Sequence, residues 1–292
     1  MPGRFSKAHL AGAVAFGAAG LLAPFGAASA VPLLLFCVLC GAAPFFPQWR
    51  FFLPTATRGP RNSRKVALTF DDGPDPATTP RLLELLARYG VRATFFVVGR
   101  RVEAEPGLLE AIRRAGHEVG NHSYSHDPFL MLRSTSRLRR EIAECQRVLE
   151  SRGVRPLTFR PPVGITNPRL GPVLRELGLA CVGFGCRPVD FGNRRIDSLA
   201  RTVEKRARCG DVILLHDCEP PGHPAQRWLD EIEHLIVALR AARLEPASLS
   251  ELLGFPVMLP SGNQAELPGS PATAAPGPQA STAPVEHRSV VC

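Results

Sequence analysis

After Lys65 the chain switches repeatedly between two periodicities, and that alternation limits its fold more than any other feature. Short runs rich in aliphatic, β-branched and aromatic residues read as strands: KVALTF (65–70), ATFFVV (93–98), HEVG (117–120), PLTFR (156–160), LACVGF (179–184) and DVILLH (211–216). Helix signals fill the gaps. Thr79 stands as a cap, with Pro80 at the first helical position and Gly90 past the end. Further helices are expected at about 106–115, closed by Gly116, and at 136–152, where Leu138, Ile142, Cys145 and Leu149 share a face. Others follow at 167–178, opened by Asn167-Pro168, at 197–207 and at 225–242. A helix between two strands returns the chain to the same end of the sheet, so the strands run parallel. About seven such units over about 190 residues predict an α/β barrel covered by helices rather than a small open sheet.

The N-terminal region is of another kind. No formally charged residue occurs from Leu10 to Gln48. Two apolar spans fit there, at about 8–29 and 31–48, with Pro24, Gly26 and Pro32 near the break. A bilayer core takes roughly 20 apolar residues per helix, and the whole stretch is too long for one. A second reading is a secretory signal with Ala28-Ser29-Ala30 as a small-residue cleavage site. Cleavage there would leave VPLLLFCVLCGAAPFF, still apolar, so a two-helix membrane hairpin is the expected arrangement of residues 1–48. Residues 49–64, with aromatics beside Arg, read as a basic interfacial linker. The folded domain is expected over 65–256. Residues 257–292, rich in Pro, Ala, Gly and Ser, read as a disordered tail.

The net charge of +9 is carried almost wholly by Arg, since Lys occurs only at Lys7, Lys65 and Lys205. Such a balance suits nucleic acid, anionic lipid or a solvated surface. No nucleic-acid motif and no basic stripe with interleaved aromatics is visible, so nucleic acid is not an expected partner. Beside an apolar N-terminus, membrane lipid is. No protein partner is expected. Arg4 and Lys7 flank the first span, and Arg50, Arg58, Arg61, Arg64 and Lys65 follow the second, while residues 26–32 are neutral. Positive residues near span ends favour the cytoplasmic side. A hairpin thus places the domain on the cytoplasmic face of a bacterial-type inner membrane, and a single span places it outside. The eight Cys form no disulfide framework and read as free thiols, in keeping with a reducing compartment.

In parallel α/β folds, chemistry collects at the C-terminal ends of the strands. Asp71 and Asp72 end the first strand, NHSYSH (121–126) follows the third, Arg160 ends PLTFR, Asp190 follows VGFG and His216 ends DVILLH. Each has a plain alternative: Asp-Asp-Gly-Pro is good turn chemistry, a His pair can be solvated, and a lone His can rim a core. Five polar features after five strands would be a strange distribution for surface residues. His122 and His126 are four apart, a spacing that shares one face of a helical turn. With a nearby carboxylate they could hold a metal that keeps a position open for catalysis. His9, His117, His223, His234 and His287 lack that context.

In order, TFDDG (69–73), HSYSH (122–126), FRPPVG (159–164), RPVD (187–190) and LLH (214–216) resemble the five motifs of the polysaccharide deacetylases, the NodB-homology enzymes of carbohydrate esterase family 4. The resemblance covers about residues 65–254. It implies a distorted (β/α) barrel of the NodB type and a metal-dependent hydrolase that removes N-linked acetyl groups from an amino sugar in a polysaccharide or glycoconjugate. By motif position it implies Asp71 as general base, Asp72, His122 and His126 as metal ligands, and Arg160 as the residue that holds the base. It implies His216 as general acid, tuned by Asp190. Leu214 matches the apolar residue beside the acetyl methyl, and the Val163 backbone N–H matches the donor facing the oxyanion. The implied cofactor is a divalent metal, zinc by default, with cobalt, nickel or manganese as alternatives. The family usually has Tyr where Val163 stands and Trp near Asp190, where Phe184 and Phe191 are the nearby aromatics. Other readings on the same scaffold are a deacylase of a lipid-linked sugar, an O-acetyl esterase, or a membrane-anchored sugar-binding protein without catalysis.

Overall fold

The structure is a computed structural model, and it describes residues 6–259. Two helices come first, α1 (Lys7–Leu21) and α2 (Ala30–Ala42). The barrel then begins with β1 (Thr55–Ala56), β2 (Lys65–Asp71), α3 (Thr79–Arg88), β3 (Thr94–Val97), α4 (Gly99–Ala104), α5 (Pro106–Arg114) and β4 (Glu118–Asn121). It continues through α6 (Thr135–Glu150), β5 (Arg155–Pro156), β6 (Thr158–Phe159), α7 (Leu170–Glu176), β7 (Ala180–Val182), α8 (Leu199–Arg206) and β8 (Val212–His216). Helix α9 (Ala225–Ala241), β9 (Glu245–Ala247), α10 (Leu249–Leu253) and β10 (Met258–Leu259) complete it.

Eight strands form one parallel sheet in the order β1-β7-β6-β4-β3-β2-β8, with β9 beside the start of β2. The sheet curls until its ends meet. The Leu214 amide donates to the Cys186 carbonyl (3.0 Å), and the Gly185 amide to that of Val212 (2.9 Å). Arg58, just past β1, pairs with the buried Asp211 ahead of β8.

Strand β2 shows how the sequence builds the curl. Val66, Leu68 and Phe70 face outward into the main core, with Leu82 and Leu86 of α3 and Trp228 of α9. The alternate residues Ala67, Thr69 and Asp71 face inward, as period-2 alternation requires. The interior has little room, so its residues are small or closely matched. A Cβ at Gly120 would overlap the Phe96 ring. Leu249 and Leu252 of α10 pack with Ala67, Phe96 and Val212 and plug one end. Glu118 accepts from the Leu249 amide (3.0 Å) and fixes the start of that plug. The other end, where the strands finish, is left for polar residues.

Two expectations need correction. Residues 49–64 are not simply a linker: Leu53 and Thr55 are buried, and β1 pairs with β7 as an edge of the sheet. Edge pairing lets a strand of two residues suffice, too short to register as a periodic run. Order also extends past residue 256, because Met258–Leu259 pairs antiparallel with Arg155–Pro156. The rest of the expected tail, 260–292, lies outside the described residues.

Helices α1 and α2 pack on each other, Gly12 lying against the Phe36 ring. Lys7 Nζ donates to the Trp49 carbonyl (3.0 Å) and the Ala8 amide to that of Phe51 (3.0 Å). The start of α1 therefore lies beside the chain that follows α2. Among the described residues, 23–45 is the one helical stretch long and apolar enough to cross a membrane. Helix α1 has 15 residues, about 22 Å at the usual rise, shorter than a hydrocarbon core of ~30 Å.

Candidate active site

A cleft of about 800 Å³ opens at the C-terminal ends of the strands. Asp71, Asp72, His122, His126, Val163, Asp190, Leu214 and His216 line it. Asp71 and His216 are register partners on the adjacent strands β2 and β8, so both side chains face the same way.

Arg160 reaches the cleft from below. It is fully buried, with Nη1 donating to Asp71 Oδ1 (2.6 Å) and Thr69 Oγ1 (2.8 Å) and Nη2 to the Gly183 carbonyl (3.0 Å). Its guanidinium lies 4.1 Å above the Phe96 ring centre, a cation–π contact suited to a desolvated arginine. Burial pulls the guanidinium below its ordinary pKa, and the Asp71 carboxylate opposes that pull. Breaking such a buried pair from either side strands a charge.

Asp72, His122 and His126 converge so that one ligand atom from each lies within 4.8 Å of the others. Asp72 Oδ1 is 3.0 Å from His126 Nε2 and 3.5 Å from His122 Nε2. The His122 Nδ1–H donates to the Arg160 carbonyl (2.8 Å). This leaves Nε2 as the ring atom that could ligate a cation and fixes the ring, the support that metal-binding histidines ordinarily have. Burial of Asp72 works against its charge, but hydrogen bonds from both imidazoles hold its carboxyl well below the usual range. Burial lowers the His126 pKa, and Asp72 more than reverses this, leaving it raised. A carboxylate and two aimed imidazoles form a donor set that fits zinc and similar divalent ions.

The histidine spacing works for a different reason from the one expected. Residues 122–126 form a loop, not a helical turn, with left-handed backbone at Ser123 (φ 69°) and His126 (φ 55°). Helix α6 holds that loop: Glu141 accepts from the Ser125 amide (2.8 Å) and hydroxyl (2.9 Å), and its carbonyl accepts from the Tyr124 amide (3.0 Å). Asn121 anchors the other side, donating to the Ile142 carbonyl (3.0 Å).

Across the cleft, Asp190 Oδ2 lies 2.8 Å from His216 Nδ1. Burial depresses His216, but Asp190 and the more distant Asp72 and Asp71 lift it to about 9. The loop carrying Asp190 is bent hard, with positive φ at Val189 (65°), Phe191 (53°) and Asn193 (62°). Val163, on the opposite rim, has φ 53°. A β-branched residue in that region costs roughly 1–3 kcal/mol and points to a functional constraint.

Two supporting residues were not singled out from the sequence. Asn193 is buried and donates to the carbonyls of His216 (3.0 Å) and Cys218 (2.7 Å), tying the Asp190 loop to the end of β8. Asp217 is buried and accepts from the hydroxyls of Thr78 (2.7 Å) and Thr79 (2.6 Å). Burial drives its carboxyl up to about 7, against the pull of those hydroxyls. Gly73 is required beside it, since a Cβ there would stand 2.5 Å from Asp217 Oδ2. Asp217 thus clamps the turn that presents Asp72. Asp217→Ala removes the acceptor that both hydroxyls donate to and should cost about 2 kcal/mol in urea unfolding. A midpoint equal to that of the parent chain would show that the clamp is dispensable. The adjacency of Asp217 to His216 at a strand end was the available signal, and nothing in the sequence around Asn193 marked it.

Leu214 is buried beside His216 in the same cleft, and Phe184 and Phe191 also line it. No disulfide occurs among the described cysteines.

The family profile described as "Polysaccharide deacetylase" matches residues 58–182. A peptidoglycan-N-acetylglucosamine deacetylase of Bacillus cereus is 34% identical over 198 residues, 67% of this chain and 91% of that protein. A chitooligosaccharide deacetylase of Azorhizobium caulinodans is 34% identical over 199 residues, 65% of this chain and 94% of its own length. The crystal structure of the Bc1960 peptidoglycan N-acetylglucosamine deacetylase superposes with a TM-score of 0.64 at 30% identity, covering 70% of this chain and 94% of that one. Likeness over nearly the whole length of these relatives, on a curled parallel sheet with the motif residues gathered at one end, makes this chain a member of the polysaccharide deacetylase family.

Proposed function

We propose that the protein is a hydrolase that removes N-linked acetyl groups from an N-acetylated amino sugar. One observation carries the reading. A single cleft holds an Arg160-clamped Asp71 and an Asp190-clamped His216 on neighbouring strands, beside the Asp72–His122–His126 trio. A divalent cation held by that trio supplies positive charge that acidifies water and polarises the acyl oxygen. Asp71, held in place by Arg160, takes the proton from the attacking water. The Val163 N–H stabilises the oxyanion. Leu214 packs against the acetyl methyl. His216 gives its proton to the leaving nitrogen, and Asp190 keeps that proton in place. An amine leaves poorly without protonation, so base and acid must both be present; a sugar-binding protein without catalysis has no need of two such clamped pairs.

The relatives act on peptidoglycan and chitooligosaccharides by name, so those polymers are the first substrates to try. The test is acetate release by the full chain from N-acetylated oligosaccharides, with chelator and after metal is restored. Release that chelation does not change would defeat the metal-dependent reading, and no release from any N-acetylated sugar would defeat the activity.

For residues 6–49 the proposed arrangement is a membrane hairpin with both ends on the side of the catalytic domain. The contact of Lys7 with the Trp49 carbonyl supports it. The basic residues Arg50, Arg58 and Lys65 then favour the cytoplasmic face. Reporter fusions at residue 65 and after Gly254 should light a cytosolic fluorophore and leave alkaline phosphatase inactive. The opposite pattern would place the domain outside.

A further inference from the structure

Between His126 and helix α6 the chain runs through four consecutive apolar residues, Phe129-Leu130-Met131-Leu132. Leu130 and Met131 are buried with Leu138, Ile142 and Phe159. Phe129 and Leu132 are not: they are 60% and 78% exposed. The turn is also held rigidly. The Leu132 amide donates to the Phe129 carbonyl (2.8 Å), and the Met131 carbonyl accepts from Asn167 Nδ2 and Arg169 Nη2 (2.7 Å each). A fixed turn that presents two large apolar side chains to water gains nothing for the fold.

Its neighbours suggest what covers it. Thr166, next to Asn167, donates its amide to the Pro44 carbonyl (3.3 Å), where the apolar helical segment ends. Phe45 there is 65% exposed, and Phe46 stacks on Trp49 at 4.5 Å. Aromatics of this kind mark the level of lipid headgroups. Arg50 and Arg169 are both exposed and suit anionic headgroups. Val163, on the cleft rim, lies three residues before Thr166. A chain of hydrogen bonds thus links the end of the apolar helices to the exposed turn and, through residues 163–167, to the mouth of the cleft.

We propose that the cleft opens at the bilayer surface, with Phe129 and Leu132 seated at the headgroup–acyl boundary, and that the enzyme takes N-acetylated saccharides carried by a lipid in that surface. The occupant of the turn is lipid, because the exposed pair is tied through Asn167 and Thr166 to the end of a segment already suited to the membrane. This rests on the deacetylase reading for the substrate and on the membrane placement of residues 6–49 for the surface.

The test uses the full chain in vesicles of phosphatidylcholine and phosphatidylglycerol, with and without brominated acyl chains. Leu132→Trp is made in a Trp49→Phe background, where the fully buried Trp228 remains as an internal reference. Val237→Trp, at a half-exposed site on α9, is the control. Brominated lipid should quench most of the emission added at residue 132 and little of that at residue 237. Equal quenching at the two sites overturns the proposed surface. So does emission at residue 132 that shifts with protein concentration and ignores bromine, which would mean that a second copy covers the turn. In a second arm, the double variant Phe129→Ser, Leu132→Ser should turn over a lipid-tethered N-acetylated sugar several-fold more slowly and a soluble oligosaccharide at the parent rate. Equal rates on the tethered sugar overturn the substrate assignment. Quenching needs no catalysis, so failure of the parent chain to release acetate would defeat the deacetylase reading and leave the surface result standing.

Discussion

His126→Ala is expected to abolish both tight divalent-cation binding and acetate release while the barrel stays folded. The His126 side chain is 28% exposed, so its loss opens no cavity in the core. His122→Ala should lose the same two properties, with a stability cost of roughly 1–3 kcal/mol because His122 is buried and donates to the Arg160 carbonyl. Elemental analysis of the purified variants beside calorimetric unfolding separates the effects. Normal metal content in both variants would remove these residues from the ligand set. The pH dependence has a definite sign. The His126 pKa is raised because Asp72 favours its charged form, despite burial. Protons therefore compete with the cation at His126, and binding should weaken as pH falls.

Much of this site could be read from the sequence because strand ends announce themselves. An apolar run that stops at Asp71-Asp72, or at His216, leaves a charge where a parallel sheet collects ligands. The alternation of strand and helix likewise pointed to the architecture, and Phe70 of β2 and Leu82 of α3 do meet in one core between sheet and helices. What stayed hidden depends on contacts distant in sequence. β1 exists because Thr55 meets Cys181, and no local period reveals a strand of two residues. The loop form of 122–126 depends on Glu141, which lies fifteen or more positions further on and looks like an ordinary helix-surface acid until its partners are known. Asn193 sits in a Gly-Asn turn like any other, and its donation to the His216 carbonyl follows only from the fold. That the apolar stretch breaks into two helices was visible, but the length of α1 was not, because Ala, Gly and Phe continue past Leu21 without a composition change.

Asp71→Asn is expected to keep the metal and lose at least ~10²-fold in turnover, the usual scale for removing a general base. Asn is isosteric with Asp, but it cannot take a proton, and it leaves Arg160 buried without a counter-charge. Some loss of stability should therefore accompany the kinetic effect. Retained turnover with lost metal would mean that Asp71, not Asp72, is the ligand. His216→Ala should lose a similar factor for the opposite reason, since the leaving amine then has no acid. The two roles separate in the pH profile. His216 is lifted to about 9, chiefly by Asp190 working against burial, so it carries its proton through neutral pH. On the alkaline side, activity should hold through neutral pH and fall as pH rises toward that value. A cation at Asp72 offsets part of the carboxylate field and brings the fall somewhat lower. Asp190→Asn removes the main support of the imidazolium, so the alkaline limb of kcat/KM should move down in pH while the acid limb stays in place. An alkaline limb that does not move in Asp190→Asn would take His216 out of the role of general acid.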